Sequence, residues 1–401
     1  MNKYLLRKRI FAVVFLGTVF GFAVVNLVHS YEPLSQALAA EEVTPGKLED
    51  VITENLEGRM SFIETYSYIQ LLLDKRESND FDYIKDEKGF MHYASFYEED
   101  DERLFEYAMR VKRLQDYVGE NGTQVLFVIP PAKYDNTHTK FRSGLSANDP
   151  TYLVDGILLY LNRLGVETLD MRESLPNAEL TYENTFYKTD HHWTIPAAFY
   201  ATQVLIDKMK DCFGADLDPE GFYMDIDNYE VVTYQSDMLG SIGRSTGANF
   251  GGVEDFTALW PKFPGYFTRE YMRDDGERVM REGSFADALL DTDVLLNNPD
   301  IYSETLYSLY LNGLRVYEKI VNEDNPDGCR IFFVRDSYFS PVMSFMAPMC
   351  GEIDAFWSQE DLRELDVEEY LTENTFDYVI IEVYPYNING HSFNFFREVS
   401  E

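Results

Sequence analysis

Three continuous apolar runs constrain the fold of this chain most strongly. They cover residues 124–129, 330–334 and 378–383, and they are rich in β-branched and aromatic residues. A strand with one face in solvent alternates apolar and polar residues, whereas a strand covered on both faces is apolar throughout. The first run also ends at Pro130-Pro131, which stops a strand. The runs therefore predict a sheet buried beneath helices on both sides.

Segments with helical spacing separate these runs. Residues 99–118 place apolar side chains three and four positions apart and stop at Gly119, as an amphipathic helix does. Further helices are predicted at 152–164, 306–321 and 362–371, and further strands at 166–169 and 353–357. Alternation of five strands with helices predicts an α/β fold, a doubly wound parallel sheet flanked by helices. Residues 214–300 break the rhythm with Gly, Asp and many turn signals, which predicts an irregular insertion covering the active face.

The N-terminus predicts a membrane segment. Four basic residues within the first nine positions precede an uncharged run at 10–28, roughly 28 Å long as a helix. The positive flank predicts that the rest of the chain lies outside the cell. The run is longer than a secretory core, which favours an uncleaved anchor, although Ala37-Leu38-Ala39 resembles a cleavage site. We expect a single-pass membrane protein with an extracellular catalytic domain, or a secreted protein if the segment is cleaved.

The domain organisation follows from these segments. Residues 1–30 are predicted to be the membrane anchor or signal segment. Residues 31–57 contain an acidic stretch with Pro45 and Gly46 and are predicted to be a spacer that leads into a first helix. Residues 58–401 then form the catalytic domain, with the insertion at about 214–300.

Net charge and cysteine content exclude several classes of function. The chain carries −36, and its first 30 residues hold four positive charges and no negative ones, which leaves −40 for the remainder. Such a surface argues against nucleic acid as a partner, because binding it needs a basic face. An acidic polymer would require a local basic groove or bridging cations. Three cysteines, Cys212, Cys329 and Cys350, are too few for a disulfide framework or a zinc cluster.

A serine follows one of the buried strands directly. Residues 330–334 run into Asp336-Ser337, and Pro341 suits the first turn of a following helix. In a doubly wound sheet, reactive groups gather at the carboxyl ends of strands. Ser337 is therefore a candidate nucleophile, and the amides of Ser337 and Tyr338 are candidate donors to an oxyanion. The alternative is that Ser337 only caps the helix.

A serine nucleophile needs a base, and the stretch around residue 190 offers one. Asp190 and His192 are two positions apart, so on an extended backbone the carboxylate can reach the Nδ1 atom of the imidazole. Trp193 argues for burial, and a buried carboxylate generally has to be paired. Thr194 can cap the helix that follows. We predict Asp190 as the orienting acid and His192 as the base, with His191 facing elsewhere.

A metal site and a purely structural role are the alternatives for this cluster. Adjacent histidines point apart, and no third ligand stands at the usual zinc spacing. The sequence also shows no nucleotide-binding motif. We therefore expect neither a metal nor another cofactor.

Three residues on other loops are candidates for the oxyanion hole or for positioning the substrate. Gly240 and Arg244 lie on a glycine-containing loop that can contribute, although ordinary turn structure is an equal alternative. Lys133 follows the first strand and can hold Glu382 or a ligand carboxylate, and a solvated lysine is about as common.

The stretch 187–194 resembles the signature of the DHHW protein family. The resemblance continues at Gly58-Arg59, at residues 130–133 and at residues 336–339, so it spans nearly the whole exported chain. That family is similar to the periplasmic alginate O-acetyltransferases, whose SGNH-hydrolase-like domain uses an Asp-x-His-Trp motif and a later serine. The resemblance implies the same triad of Asp190, His192 and Ser337, in the permuted order Asp, His, Ser. His191 inherits no role, because the alginate proteins have a different residue there.

The function implied is O-acetylation of a cell-surface or exported polysaccharide through an acetyl-serine. The resemblance also implies that a polytopic membrane acyltransferase supplies the acyl donor. Two other functions remain open at this point. The same triad would serve a carbohydrate esterase, and the scaffold would also serve a non-catalytic polysaccharide-binding or assembly protein.

Overall fold

A computed structural model describes residues 3–39, 44–94, 101–175, 180–273, 276–296, 300–357 and 366–396. The chain divides into two compact units, Met1–Asp74 and Lys75–Glu401. The predicted spacer at 31–57 contains helical residues in its described parts, and the second unit begins well after residue 58. The predicted domain limits stay a prediction.

The described part of the first unit is helical. Its helices are α1 (Lys3–His29), α2 (Tyr31–Ala39), α3 (Pro45–Glu54) and α4 (Arg59–Leu72). Thr44 caps α3 by accepting a hydrogen bond from the Lys47 amide. Helix α1 is long and apolar enough to cross a membrane, with a mean hydropathy of 2.4 over its most apolar window. It has the properties of a signal anchor or a signal peptide.

The second unit contains the strands and the remaining helices. The strands are β1 (Glu77–Ser78), β2 (Tyr83–Lys85), β3 (Met91–Tyr93), β4 (Gln124–Ile129), β5 (Glu167–Asp170), β6 (Tyr229–Met238), β7 (Glu254–Pro261), β8 (Phe267–Met272), β9 (Arg278–Gly283), β10 (Tyr317–Asn322), β11 (Arg330–Arg335), β12 (Glu352–Trp357) and β13 (Tyr378–Glu382). The helices are α5 (Asp101–Gly119), α6 (Thr151–Arg163), α7 (Met171–Ser174), α8 (Tyr182–Thr185), α9 (Ile195–Phe213), α10 (Ser241–Thr246), α11 (Ala248–Gly251), α12 (Phe285–Leu289), α13 (Asp293–Leu296), α14 (Phe339–Met346) and α15 (Val367–Glu373).

The central sheet has eight strands in the order β5-β4-β13-β11-β12-β10-β8-β9. The first five are mutually parallel, and they are the five strands that the sequence predicts. Strand β4 shows why its run is continuously apolar. Leu126 and Val128 face a core that includes α9 and α14, whereas Val125, Phe127 and Ile129 face a core that includes α5 and α6. The prediction of an α/β sheet flanked by helices is confirmed.

The predicted helix at residues 306–321 is wrong. Only Leu306–Leu309 form a short 3-10 turn, and the segment then becomes strand β10. Leu311, Asn312 and Gly313 have φ angles of 55°, 52° and 73°, a left-handed turn that a right-handed helix cannot contain. Strand β10 pairs antiparallel with both β12 and β8. The prediction failed because the apolar residues of a turn and of the half-buried strand after it happen to follow the spacing of a helix.

The predicted irregular insertion at 214–300 is more regular than expected. Strands β6 and β7 form a separate antiparallel pair, and β8 and β9 extend the central sheet. In β8 buried and half-buried residues alternate, which is the period of a strand. The helix predicted at 362–371 corresponds to α15, and residues 358–365 lie outside the described residues.

Candidate active site

Asp190, His192 and Ser337 form one continuous chain of hydrogen bonds. The Nδ1 atom of His192 lies 2.6 Å from Asp190 Oδ1, and its Nε2 atom lies 2.7 Å from Ser337 Oγ. The carboxylate can only accept, so the ring proton is on Nδ1 and the lone pair on Nε2 accepts the Ser337 hydroxyl. This arrangement can remove the hydroxyl proton as the oxygen attacks an electrophile.

The carboxylate of Asp190 is fully buried and fully hydrogen-bonded. Oδ1 also accepts the backbone N–H of His192 at 3.1 Å, and Oδ2 accepts the N–H of Ser241 at 2.8 Å. Burial alone would raise the pKa of Asp190, but the charge and hydrogen bond of His192 outweigh it and hold that pKa well below its usual range. Asp190 is therefore an ionised and immobile partner for the imidazole.

The loop that carries Asp190 and His192 closes just before α9. Phe186 and Trp193 form an antiparallel bridge, and the N–H of Thr194 donates to the carbonyl of Thr185 at 2.8 Å. Thr194 then caps α9, its hydroxyl accepting the N–H of Ala197 at 3.3 Å. The predicted cap is confirmed. Phe186 at the start of the loop and Trp193 at its end are both buried in the core, and α9 begins directly after Thr194, so both ends of the loop are fixed.

Two charged side chains, half-buried Glu254 and buried Lys133, hold the backbone of the same loop. Glu254 accepts the backbone N–H groups of Lys188 and Thr189, each at 2.7 Å. The ammonium of Lys133 donates to the carbonyls of Lys188 at 2.9 Å and Asp190 at 2.6 Å. Burial lowers the pKa of Lys133 to about 8. Lys133 thus holds the backbone of the loop. Of the alternatives considered for it, the solvated lysine is wrong because the side chain is buried, and the described contacts are with backbone carbonyls instead of Glu382.

His191 lies beside the triad instead of facing elsewhere, which corrects the sequence-based expectation. Its ring centroid is 3.8 Å from that of His192, and its Nδ1 atom is 3.3 Å from Asp190 Oδ1 and 3.2 Å from Ser241 Oγ. Burial and repulsion from His192 lower the pKa of His191 to about 3. The carbonyl of His191 accepts the hydroxyl of Tyr338. A neutral second imidazole therefore covers the base.

The turn that carries Ser337 is tied together by its neighbour Asp336. Asp336 Oδ1 accepts the Tyr338 N–H at 3.0 Å, and Oδ2 accepts the Tyr384 N–H at 2.9 Å and Asn387 Nδ2 at 3.1 Å. These contacts join the end of β11 to the end of β13. Helix α14 has no side-chain cap, so Ser337 does not act as one. The hydroxyl is left to His192.

Two buried carboxylates, Glu382 and Glu318, support the strand that leads into this turn. Glu382 accepts the N–H of Asp336 at 2.9 Å, and burial together with the charge of Asp336 raises the pKa of Glu382 well above its ordinary value. Glu318 receives Arg335 Nη2 at 2.6 Å and Arg269 Nε at 2.6 Å. A buried charge that is paired on both sides is rigid and costly to disrupt. The pairs fix β11 relative to β10 and β8.

Aromatic side chains fix the orientation of the His192 imidazole. Tyr307 stacks on it with centroids 4.0 Å apart and planes 14° apart. The indole N–H of Trp193 donates to the carbonyl of Tyr338 at 3.1 Å, and the hydroxyl of Tyr307 donates to the same carbonyl at 3.1 Å. The loop that carries His192 and the turn that carries Ser337 are therefore joined by direct hydrogen bonds as well as by the triad.

The other candidates for the oxyanion hole or substrate positioning, Tyr338, Gly240 and Arg244, have other contacts. The Tyr338 amide is engaged by Asp336, and the Gly240 amide donates to Thr189 Oγ1 at 2.9 Å. Arg244 donates to the carbonyl of Ser303 at 3.4 Å, and in the described part of the chain it makes no hydrogen bond to the triad. A Cβ atom at Gly240 would lie 2.4 Å from that of Asp190, so the glycine allows a close approach of two loops.

Asp190, His191 and His192 could together hold a metal ion. One ligand atom from each lies within 4.8 Å of the others. Both nitrogens of His192 already have partners, Asp190 and Ser337. A metal ligated by His192 would therefore compete with one of those hydrogen bonds.

Sequence reasoning missed several residues that build this site. Asp336 was detectable, because it directly precedes the candidate nucleophile. Tyr307 and Glu254 left no signal, since each reaches the site from a segment far away in the chain, and Ser241 lies on the loop of the candidate Gly240 without any sign that its N–H binds Asp190. Their roles depend on tertiary contacts that no local pattern encodes.

A family model bears out the resemblance to the alginate-type acetyltransferases, and a DHHW family protein of known structure shares the fold. Residues 89–248 match the family model described as the SGNH hydrolase-like domain of acetyltransferase AlgX. No curated protein matches the sequence.

Two solved structures show the same fold. Bacillus cereus PatB1 with a sulfonyl adduct superposes with a TM-score of 0.62 at 17% identity, covering 79% of this chain and 97% of that chain. A DHHW family protein from Eubacterium siraeum superposes with a TM-score of 0.56 at 16% identity, covering 78% and 93%. The likeness therefore extends over most of each relative.

Proposed function

We propose that this protein is an O-acetyltransferase that modifies a cell-surface or exported polysaccharide. The observation that carries the proposal is the chain of hydrogen bonds from Asp190 through His192 to Ser337. The matched acetyltransferase family model supports the reaction class. Asp190 orients the imidazole, His192 is the general base and Ser337 is the nucleophile.

The reaction has two halves. Ser337 Oγ attacks the carbonyl carbon of an acetyl donor while His192 Nε2 takes the hydroxyl proton. The tetrahedral intermediate then collapses, the leaving group takes that proton from His192, and acetyl-Ser337 remains. In the second half a sugar hydroxyl gives its proton to His192 and attacks the acetyl carbonyl. The sugar ester leaves, and Ser337 regains its proton from His192.

The oxyanion donor follows by elimination among backbone amides. The amides of Tyr338, Gly240 and Ser241 are engaged by Asp336, Thr189 and Asp190. Among the described residues the N–H of Ser337 has no acceptor. Of these four amides it is the one left to donate to the developing oxyanion, and one such donor stabilises the transition state by about 3 to 4 kcal/mol.

The setting of the enzyme belongs to the proposal too. Helix α1 would anchor the protein, with the catalytic domain outside the cell. An acetyl donor must then reach the outer face of the membrane, which is the task of a polytopic membrane acyltransferase. Secretion after cleavage of α1 would leave the same chemistry in solution.

A product assay on the detergent-solubilised full chain tests the proposal. We expect wild type, given 4-nitrophenyl acetate and a mixture of cell-wall oligosaccharides, to yield acetylated sugar. Ser337→Ala should lower this yield by at least about a thousandfold, and the exposed Ser245→Ala should not change it. Free acetate without sugar ester would identify an esterase. Full activity of Ser337→Ala would rule out the proposed nucleophile, and an inactive wild type would favour a non-catalytic polysaccharide-binding or assembly protein.

A further inference from the structure

A cavity of about 530 Å³ lies at the carboxyl edge of the parallel sheet. Its walls come from the segments that follow β4, β5 and β13, including Pro131, Arg172 and Pro385. Ser337 follows β11, at the same edge. The cavity and the candidate nucleophile therefore open on one side of the sheet, where ligands of α/β proteins bind.

The strand order gives the separation between them. Strand β13 is next to β11, β4 is the second neighbour and β5 the third. Neighbouring strands are about 4.8 Å apart, so the cavity lies roughly 10 to 15 Å from Ser337 along the sheet edge. Tyr134 lines this cavity and also a small cleft beside His191. A ligand that fills the cavity and reaches Ser337 must be longer than a single sugar ring.

The lining suits a sugar rather than an apolar ligand. The ring of His138 stacks on that of Tyr182 with centroids 5.3 Å apart and planes 9° apart, and His138 is exposed. Asn136 and Thr181 add exposed polar side chains. Aromatic faces next to amide and hydroxyl groups match the apolar faces and the hydroxyl rims of a pyranose.

The charges of the lining select among sugars. Four carboxylates, those of Asp135, Asp170, Glu173 and Glu183, stand in the walls, against the one guanidinium of Arg172. Arg172 is already paired with Asp170 at 2.7 Å and with Asp155 at 2.8 Å. Lys88, which is not part of the lining, pairs with Glu183 at 2.6 Å. With Lys88 included, these carboxylates still outnumber the cations four to two, and both cations are already paired. A sugar carboxylate would therefore meet an excess of negative charge at the described lining.

We propose that this cavity is a distal acceptor subsite for a non-acidic glycan, a chain of several linked neutral or amino sugars that extends from Ser337 to the His138–Tyr182 stack. The inference rests on the proposed function and names its substrate class. The length of the acceptor and the charge of the acceptor can be tested separately.

Acceptor kinetics with the full chain test the length. With neutral β-1,4-glucan and amino-bearing glucosamine oligomers of increasing length, kcat/KM should rise steeply from one to several rings and then level off. His138→Ala should raise KM for a long oligomer about tenfold, because one stacking and hydrogen-bonding contact is lost, with a smaller change in kcat. The exposed His391→Ala is the matched control. Equal kcat/KM for all lengths, or no KM change in His138→Ala, would overturn the subsite.

A charge reversal tests the selection. Oligomers of a uronic acid should be poor acceptors for wild type, and Glu183→Lys should raise kcat/KM for them severalfold at low salt, with Glu220→Lys as an exposed control. Preference of wild type for the uronate oligomers would contradict the charge argument. Acetylation of Ser337 by 4-nitrophenyl acetate is recorded in parallel. If wild-type Ser337 is not acetylated, the proposed function is wrong. If Ser337 is acetylated but the enzyme shows no preference for acceptor length or charge, only the subsite is wrong.

Discussion

His192 Nε2 lies 2.7 Å from Ser337 Oγ, although the two residues are 145 positions apart in the chain. One stands in the loop before α9 and the other at the turn after β11, and both segments are held by buried hydrogen bonds. The contact is therefore preformed, and a bound substrate does not have to assemble it.

The two adjacent histidines should differ sharply in their effect on catalysis. His192→Ala removes the base and should lower kcat for acetyl transfer by about four orders of magnitude or more. His191→Ala removes a neutral ring that has no hydrogen bond to Ser337, so a loss of about tenfold or less is expected. Single-turnover release of 4-nitrophenol measures both. A larger loss in His191→Ala than in His192→Ala would reverse the assignment.

Asp190→Asn should preserve the fold of the loop and damage the chemistry. An amide cannot serve both the His192 ring and the Ser241 N–H as acceptor, so the ring tautomer and the charge stabilisation are lost, at a cost of about 10³ to 10⁴ in kcat. The downfield NMR signal of the His192 Nδ1 proton should also disappear. Asp327→Asn, at an exposed site, is the control. Near-normal kcat in Asp190→Asn would show that the carboxylate is structural.

Gly240→Ala should inactivate the enzyme through Asp190. The new Cβ atom would lie 2.4 Å from the Asp190 Cβ and 2.6 Å from its backbone nitrogen, so one of the two loops must move. We expect a lower melting temperature and a large loss of kcat. Gly119→Ala, where a Cβ atom meets nothing within 4 Å, is the matched control and should leave both unchanged. Wild-type behaviour of Gly240→Ala would mean that the loops are not packed as described.

His191 should make the protein less stable in mild acid. Its pKa is about 3 in the folded chain and near 6.5 when unfolded, so between these pH values the unfolded chain binds more protons. The free energy of unfolding should therefore fall as pH drops below 6.5. At pH 5 the contribution of His191 should make it about 1 to 2 kcal/mol lower than at pH 7. Urea unfolding at pH 7 and pH 5 should show a smaller difference for His191→Gln than for wild type. An equal difference would mean that His191 does not remain neutral.

The parts of the fold with strong local patterns were predictable. The runs that became β4, β11 and β13 are apolar throughout because helices cover both faces, and that pattern is local. Strand β10 was mistaken for a helix because its preceding turn depends on left-handed backbone angles at Leu311 and Asn312, which only the tertiary structure supports. The antiparallel strands β8 and β9 were hidden in a segment rich in turns.

The candidate site divides along the same line. Asp190 and His192 were found because two residues separated by two positions on an extended backbone project their side chains to the same side. The position of His191 was missed, because the loop is not a regular strand and its two rings lie over each other. Lys133 was found as a candidate, but its contacts were left open among alternatives that did not include the observed ones, since its acceptors are backbone carbonyls, which have no sequence signature.

Detection of the proposed acetyl-Ser337 intermediate tests the mechanism most directly. Full-length protein is mixed with 4-nitrophenyl acetate without a sugar acceptor, quenched in acid within seconds, digested and analysed by mass spectrometry. One acetyl group should be found on Ser337 in wild type and should be absent at that position in Ser337→Ala and in His192→Ala. It should disappear when an acceptor oligosaccharide is added before the quench. A wild-type enzyme that turns over the ester while Ser337 is never acetylated, or that acetylates another residue on the path to product, would contradict the proposed mechanism.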